Sequence, residues 1–130
     1  MPTTKEPPGR KDLYGTGEAN DEPSLTHEDR RKRCYELACH ALIFGSAPAD
    51  AKLVHGTIDG GYVDGPGRIG HAWLRLADGR IWEPISAKVY GQEWMVWADA
   101  LPERVYTRHE ARLAVVRFEH YGRWHESPYP

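Results

Sequence analysis

The sequence predicts an α+β domain in which an N-terminal helix packs on a small antiparallel sheet. Three observations lead to this prediction. Apolar residues recur at helical spacing early in the chain, several strand-like runs follow, and shorter helical patterns come only late. This order of elements is typical of the α+β class.

Length and composition limit the kinds of protein to consider. The chain has 130 residues, enough for one domain, with 40% hydrophobic and 28% charged residues. A formal net charge of -2 argues against a basic nucleic-acid-binding protein. No apolar run reaches the ~20 residues of a membrane span, and no start resembles a signal peptide. We therefore expect neither nucleic acid nor membrane as a partner, and reduced thiols in the cytoplasm.

The first part of the chain divides into an arm and a helix. Residues 1–24 are rich in Pro, Gly and charge, which predicts a disordered arm, and residues 25–130 are predicted to form a single domain. The first helix is predicted at about 27–44, with a break near Lys32-Arg33 and an end at Gly45. Its apolar stripe consists of Cys34, Leu37, Ala38, Ala41 and Leu42.

Strand signals dominate the middle of the chain. The predicted strands and extended segments are 52–58, 71–76, 80–83, 88–90 and 104–106. A glycine-rich loop is predicted at 59–70 and a short helix at 91–100. The pattern Thr107-x-x-Glu110 is a capping box and indicates a last helix.

The run Gly65-Pro66-Gly67-Arg68-Ile69-Gly70 matches the dinucleotide-binding pattern G-x-G-x-x-G. That pattern requires a helix directly after it, so that the helix N-terminus faces the pyrophosphate. A strand-like run follows here instead. We therefore interpret the run as a glycine-rich loop and expect no nucleotide and no other cofactor.

Histidine is frequent but not clustered along the chain. The seven His residues are scattered, and neither a C-x-x-C pair nor an H-E-x-x-H motif is present. We expect no metal ligands. A His/Cys metal site is kept as an alternative hypothesis, which zinc analysis of the purified protein tests.

Three residues have the chemistry of a nucleophile, a base and an orienting acid. Cys34 lies on the apolar stripe, His71 opens a predicted strand, and Glu83 lies on the return strand. A thiolate is a good nucleophile, and a neighbouring imidazole accepts the thiol proton. A carboxylate then fixes the tautomer and orientation of that imidazole. The alternative for Cys34 is a buried, inert thiol.

The turn between the two strands decides whether His71 and Glu83 share a face. With a two-residue loop, Asp78-Gly79, Leu74 opposes Glu83. His71 and Glu83 then point to different faces of the sheet. With a three-residue loop at 77–79 and a left-handed Gly79, Trp73 opposes Glu83, and both then share a face with His71. The glycine at the third loop position favours the second register.

These residues carry a resemblance to a known superfamily. The quoted stretches are Cys34-Tyr35-Glu36-Leu37-Ala38, Leu53-Val54-His55-Gly56, Gly70-His71-Ala72-Trp73, Asp78-Gly79-Arg80-Ile81-Trp82-Glu83-Pro84 and His120-Tyr121-Gly122-Arg123-Trp124. Together they resemble the papain-like and transglutaminase-like superfamily, and most of all its small bacterial and phage members. The resemblance spans about residues 33–125. It implies a papain-like core, acyl chemistry on a protein, peptide or small amide, and the Cys34-His71-Glu83 triad.

The chain also departs from the pattern of that superfamily. Its acid is more often Asp, and an upstream Gln often serves the oxyanion hole, whereas the only Gln of this chain is Gln92. A non-catalytic binding module with an aromatic cleft is therefore the alternative function. Candidate substrate-binding residues are Tyr35, His55 and Trp73, whose alternatives are a solvated helix face, a polar strand end and core packing.

Overall fold

The structure, a computed structural model, describes residues 9–11, 33–45, 47–63, 67–122 and 124. Numbered along the chain, its elements are β1 Gly9–Lys11, α1 Cys34–Ile43, β2 Lys52–Asp59, β3 Arg68–Arg75, β4 Ile81–Glu83, β5 Lys88–Tyr90, α2 Glu93–Trp97, β6 Leu101–Tyr106 and α3 Arg108–Phe118, with a 3₁₀ turn at Gly60–Val63.

The six described strands form one sheet. Their order is β1-β5-β4-β3-β2-β6, and every neighbouring pair is antiparallel. Strands β2 to β5 follow one another as a meander, and β6 returns to the edge of β2. The α+β class with an antiparallel sheet, predicted from the sequence, is confirmed.

Helix α1 packs on this sheet through its apolar stripe. Ala38 and Leu42 lie in one buried cluster with Leu53 of β2 and Leu74 of β3. A second cluster contains Val54, Trp73 and Trp94. Neighbouring strand residues, such as Leu53 and Val54 or Trp73 and Leu74, thus fall in different clusters, since successive side chains point to opposite faces. The sheet therefore carries apolar packing on both faces.

The start of α1 is described from Arg33 onwards. The helix begins at Cys34, and Arg33 before it has the non-helical angles φ -116° and ψ 21°. The predicted start near residue 27 lies outside the described residues, but the break predicted near Arg33 is where the described helix begins. At the other end, the N–H groups of Phe44 and Gly45 both donate to the carbonyl of His40 at 2.8 Å.

The turn between β3 and β4 has the three-residue form. Leu76 N–H donates to the carbonyl of Arg80 at 2.8 Å, and Gly79 N–H donates to the carbonyl of Leu76 at 2.9 Å. Gly79 has a φ of 92°, a backbone conformation that residues with a Cβ atom rarely adopt. Leu74 consequently faces Trp82 in the ladder. The register that the sequence favoured is confirmed.

The predicted glycine-rich loop is shorter than expected. β2 continues to Asp59, and β3 already begins at Arg68. The two strands pair along this stretch, Thr57 with Gly70 and Ile58 with Ile69. Glycine lacks strand propensity, but a neighbouring strand supplies the hydrogen bonds that hold it extended. Gly70 therefore lies in a strand, and the G-x-G-x-x-G run leads into β3 rather than into a helix. Residues 64–66 lie outside the described part.

The last elements follow the predictions closely. The short helix predicted at 91–100 is present as α2. The extended segment predicted at 104–106 is part of the longer strand β6. The capping box of α3 is present, since Glu110 N–H donates to Thr107 Oγ1 at 3.1 Å and Thr107 N–H donates to Glu110 Oε1 at 2.8 Å. None of the helices in the described part of the chain has the length and apolar character of a membrane span.

Three residues of the predicted disordered arm form a strand. Gly9–Lys11 pairs with Lys88–Tyr90 at the outer edge of the sheet. Composition does not predict this pairing, because an edge strand is held by main-chain hydrogen bonds, which any sequence other than proline supplies. The rest of the predicted arm, 1–8 and 12–24, lies outside the described residues.

Candidate active site

Cys34 occupies the first position of α1. Its backbone N–H is at the helix start, where N–H groups have no acceptor within the helix and the helix dipole favours negative charge. The preceding Arg33 provides no side-chain cap, and its guanidinium instead forms a two-pronged ion pair with Glu36 at 2.9 and 3.1 Å. The Cys34 side chain is 5% exposed and lies in the second core cluster, among residues such as Trp73.

His71 and Glu83 form a buried ion pair across the β3–β4 hairpin. His71 Nε2 lies 2.8 Å from Glu83 Oε2, and the two side chains are 1% and 0% exposed. Because the pKa of the carboxyl is lowered, as argued below, the ring N–H donates and the carboxylate oxygen accepts. This hydrogen bond fixes the ring orientation and directs Nδ1 away from the acid.

The turn that follows β4 folds back around the Glu83 carboxylate. Ile85 N–H donates to Oε2 at 3.0 Å, and Ser86 N–H donates to Oε1 at 2.7 Å. Pro84, which has no N–H, stands between Glu83 and these donors. Both carboxylate oxygens therefore accept backbone hydrogen bonds in addition to the bond from His71. The longer side chain of Glu, compared with Asp, allows this return.

The buried site, with its hydrogen-bond donors, holds the pKa of the Glu83 carboxyl below its usual range. Burial alone acts in the opposite direction and raises the pKa of the carboxyl. The hydrogen bond and charge of His71, followed by the N–H groups of Ser86 and Ile85, outweigh the burial. Glu83 is therefore an ionised acid held in place, which is the state that an orienting carboxylate requires.

The Cys34 side chain lies close enough to the His71 imidazole to act on its protonation. Burial lowers the pKa of His71, but the charge and hydrogen bond of Cys34, and then those of Glu83, raise it to about 10. The imidazolium form is thus stabilised between a sulfur and a carboxylate. The structure brings the three predicted catalytic residues together in one chain of contacts.

Two indole rings pack against the His71 ring. Trp73 is stacked on it with a centroid distance of 6.1 Å, and Trp94 of α2 lies at 6.3 Å. The two indoles are 5.4 Å apart and both are fully buried. Trp73, a candidate substrate-binding residue, therefore lies beside the His71 ring. Its alternative, core packing, describes its burial equally well.

The other two candidate substrate-binding residues are placed differently. Tyr35 follows Cys34, is partly buried, and its ring lies 4.9 Å from that of His55. His55 is paired with Ala72 in the ladder, so it points to the face opposite His71. There it lies 5.0 Å from the rings of both Tyr106 and Trp124. His55 is thus fully buried in the middle of β2 rather than at a strand end, on the face opposite His71, and its role in substrate binding stays a prediction.

The remaining polar candidates lie away from the triad. Gln92 donates a hydrogen bond to the carbonyl of Gly79 at the β3–β4 turn, so it serves that turn. Cys39 is fully buried in the first cluster, and burial raises its pKa to about 12, which describes an inert packing thiol. In the part of the chain that the structure describes, no three His, Cys, Asp or Glu side chains form a group that could hold a metal ion.

Two features of the site were missed at the level of sequence. The backbone donors of Ile85 and Ser86 carry no side-chain signal, although Glu-Pro followed by a small polar residue is typical of a turn. The place of Trp94 beside His71 has no sequence signal either, because its helical spacing with Trp97 says nothing about which strand it meets.

The scan of family models, the search of curated proteins and the search of solved structures found no match to this chain.

Proposed function

We propose that the chain is a cysteine hydrolase or acyltransferase that acts on an amide of a protein, a peptide or a small molecule. Cys34 is the nucleophile, His71 the base and acid, and Glu83 the orienting carboxylate. The observation that supports this proposal is the continuous chain of contacts from the sulfur through the imidazole to the carboxylate. The papain-like and transglutaminase-like resemblance is part of the same proposal.

The proposed reaction begins with the thiolate and the imidazolium. The sulfur attacks the amide carbon, a carbon–sulfur bond forms, and the carbonyl electron pair moves to the oxygen. The tetrahedral intermediate collapses, the carbon–nitrogen bond breaks, and the proton of His71 goes to the leaving amine. The thioester on Cys34 is then attacked by water, giving hydrolysis, or by a second amine, giving transfer. In that step His71 takes the proton of the attacking group, and the thiolate is released.

The oxyanion of this reaction needs a hydrogen-bond donor near the sulfur. Gln92 is engaged at the β3–β4 turn, so the side-chain donor common in the resembled enzymes is not supplied by it. The backbone N–H of Cys34, at the first position of α1, is the donor that the geometry supports. The positive end of the helix dipole adds to this stabilisation. The mechanism needs no cofactor.

A non-catalytic binding module is the second candidate function. The burial of Cys34 to 5% exposure, and of His71 to 1%, favours it, because a substrate carbonyl must reach the sulfur. In this case the triad is a buried polar cluster of the core, and the aromatic side chains serve a partner surface. The two candidates differ in the reactivity expected of the Cys34 thiol.

Alkylation at pH 7 distinguishes the two functions. Iodoacetamide is expected to label Cys34 faster than Cys39 in the native protein, as measured by mass spectrometry of the peptides. Unfolded protein in urea provides the reference in which both thiols are accessible. Equal and slow labelling of the two residues in the native state would contradict the proposal and favour the binding module.

The outcome after attack is tested with a generic acyl donor. Dimethylcasein, whose amines are blocked, is incubated with the protein in the presence or absence of dansylcadaverine. New free amines indicate hydrolysis, and incorporated dansyl fluorescence indicates transfer. Cys34→Ala is expected to abolish either signal, whereas the matched variant Cys39→Ala, which removes only the buried packing thiol, is expected to retain it.

A further inference from the structure

A second hydrogen bond lies behind the Glu83 carboxylate. The Tyr90 hydroxyl of β5 donates to Ser86 Oγ at 3.0 Å, four residues back along the chain. Ser86 is the same residue whose backbone N–H donates to Glu83 Oε1 at 2.7 Å. Tyr90 is 1% exposed and pairs with Ile81 of β4 in the ladder. Its ring is therefore held in the core while its hydroxyl reaches the turn.

The turn that carries these donors is strained. Ala87 has a φ of 57°, in the left-handed region that a non-glycine residue seldom adopts. Its N–H donates to the carbonyl of Glu83 at 2.8 Å, which closes the turn. A strained conformation persists only where its surroundings hold it. The hydrogen bond from Tyr90 to Ser86 ties the turn to β5 and is one such restraint.

We infer that Tyr90 and Ser86 are positioning residues of the proposed site, which hold the turn 84–87 so that its N–H groups keep Glu83 on His71. This inference rests on the proposed function of the triad. It extends the chain of contacts from Cys34, His71 and Glu83 through the Ser86 backbone to the Tyr90 hydroxyl. In this inference their effect on the thiol passes through the Glu83 carboxylate, to which Ser86 N–H donates.

The change Tyr90→Phe removes the hydroxyl and keeps the ring in the core. It is expected to lower the iodoacetamide rate constant of Cys34 at pH 7 by about 2- to 10-fold, the effect of one neutral hydrogen bond. The ring titration of His71, followed by NMR, is expected to move to lower pH, because a less well-held carboxylate stabilises the imidazolium less. Ser86→Ala, at a partly exposed position, is expected to lower the labelling rate and the His71 titration in the same way. Ser86→Thr, which retains the hydroxyl, is expected to keep both at their wild-type values.

Two further variants make the test specific. Tyr106→Phe removes a tyrosine hydroxyl on the opposite side of the sheet, beside His55, and is expected to change neither readout. Combining Tyr90→Phe with Ser86→Ala is expected to lower the labelling rate of Cys34 no more than either change alone, since both remove the same hydrogen bond.

The outcomes separate this inference from the proposed function. If Cys34 of the wild type reacts no faster than Cys39, the proposed function fails, and the His71 titration still decides whether the turn acts on the ring. If Cys34 is reactive while Tyr90→Phe and Ser86→Ala leave both the rate and the titration unchanged, the positioning role is overturned. Additive losses in the double variant would also overturn it.

Discussion

Nε2 of His71 lies 2.8 Å from Oε2 of Glu83, although the two residues are twelve positions apart along the chain. The three-residue turn after β3 makes this approach possible, because it pairs Leu74 with Trp82 and Arg75 with Ile81. A register shifted by one residue would move every side chain of β4 to the other face of the sheet. The backbone conformation of one turn thus decides whether an acid faces the histidine.

Gly79→Ala is expected to destabilise the protein and to disturb the site. Gly79 has a φ of 92°, where a Cβ is strained whatever space surrounds it. A left-handed backbone conformation costs a non-glycine residue about 1–2 kcal/mol, so the free energy of unfolding in urea should fall by that amount. Gly79→Asn should lose less, because Asn tolerates this region better.

The matched control for the turn is Ala77→Gly, an exposed position of the same loop without a positive φ. It should change the free energy of unfolding by less than Gly79→Ala does. A Gly79→Ala protein as stable as the wild type, with unchanged labelling of Cys34, would show that the register does not depend on this residue.

His71→Asn is expected to slow the alkylation of Cys34 at pH 7 more than any other single change outside Cys34. The base and the positive charge beside the sulfur are lost together, and general base catalysis contributes roughly 10²–10⁴-fold in enzymes. Glu83→Gln should slow it less, since the imidazole stays but loses the carboxylate that orients it. Rates of iodoacetamide labelling, resolved by peptide, measure both.

Stability must be measured beside these rates. Removing one partner of a buried ion pair costs about 3–5 kcal/mol, so Glu83→Gln is also expected to lower the free energy of unfolding. Circular dichroism confirms that each variant is folded under the labelling conditions. Labelling of Cys34 that is as fast in folded His71→Asn as in the wild type would remove His71 from the proposed mechanism.

The sequence predicted the strands, the capping box of α3 and the register at Gly79, because each rests on local rules. Alternation defines a strand, Thr107 and Glu110 are the N-cap and N3 residues of one helix turn, and glycine at the third loop position indicates a left-handed backbone. From that register and the apolar stripe of α1, the meeting of Cys34, His71 and Glu83 followed as a geometric hypothesis. Their catalytic role stays a prediction.

The parts of the site that the sequence does not place depend on contacts between distant segments. His55, a candidate substrate residue, lies within one of the stretches that carry the resemblance, and alternation along β2 turns it to the face opposite His71. The start of α1 depends on where Arg33 leaves the helical angles, which the periodicity of apolar residues does not encode. The cradle around Glu83 is built from backbone N–H groups, and these have no signature in side-chain chemistry.

The stability of the protein is expected to fall as the pH rises from about 6.5 to about 10. The folded protein raises the pKa of His71 from 6.5 to about 10, so it retains a proton that the unfolded chain has released. The stabilisation by protonated His71 is complete below pH 6.5. It is lost through this window at no more than about 1.4 kcal/mol per pH unit for one proton. Urea unfolding of the wild type and of His71→Asn should show a difference that narrows with pH.

Two variants identify the groups behind this dependence. Cys34→Ala should move the ring titration of His71 below pH 10, because Cys34 makes the largest of the contributions that raise it. Cys39→Ala should reduce the loss of stability above pH 9, because in the wild type the unfolded thiol ionises there and the buried one, with its pKa of about 12, does not. A difference between wild type and His71→Asn that does not change with pH would contradict the raised pKa.

Gly56→Ala is expected to disturb the base from the next strand. A Cβ at Gly56 overlaps the carbonyl oxygen of Leu101 and lies 2.9 Å from Cη2 of Trp73, the ring that stacks on His71. Overpacking of this kind costs about 1–3 kcal/mol in the free energy of unfolding, and the displaced indole should also lower the alkylation rate of Cys34. Gly61→Ala is the matched control, since its Cβ meets only Asp59 at 3.5 Å. Equal stability and equal rates for the two variants would mean that Trp73 does not hold the imidazole in place.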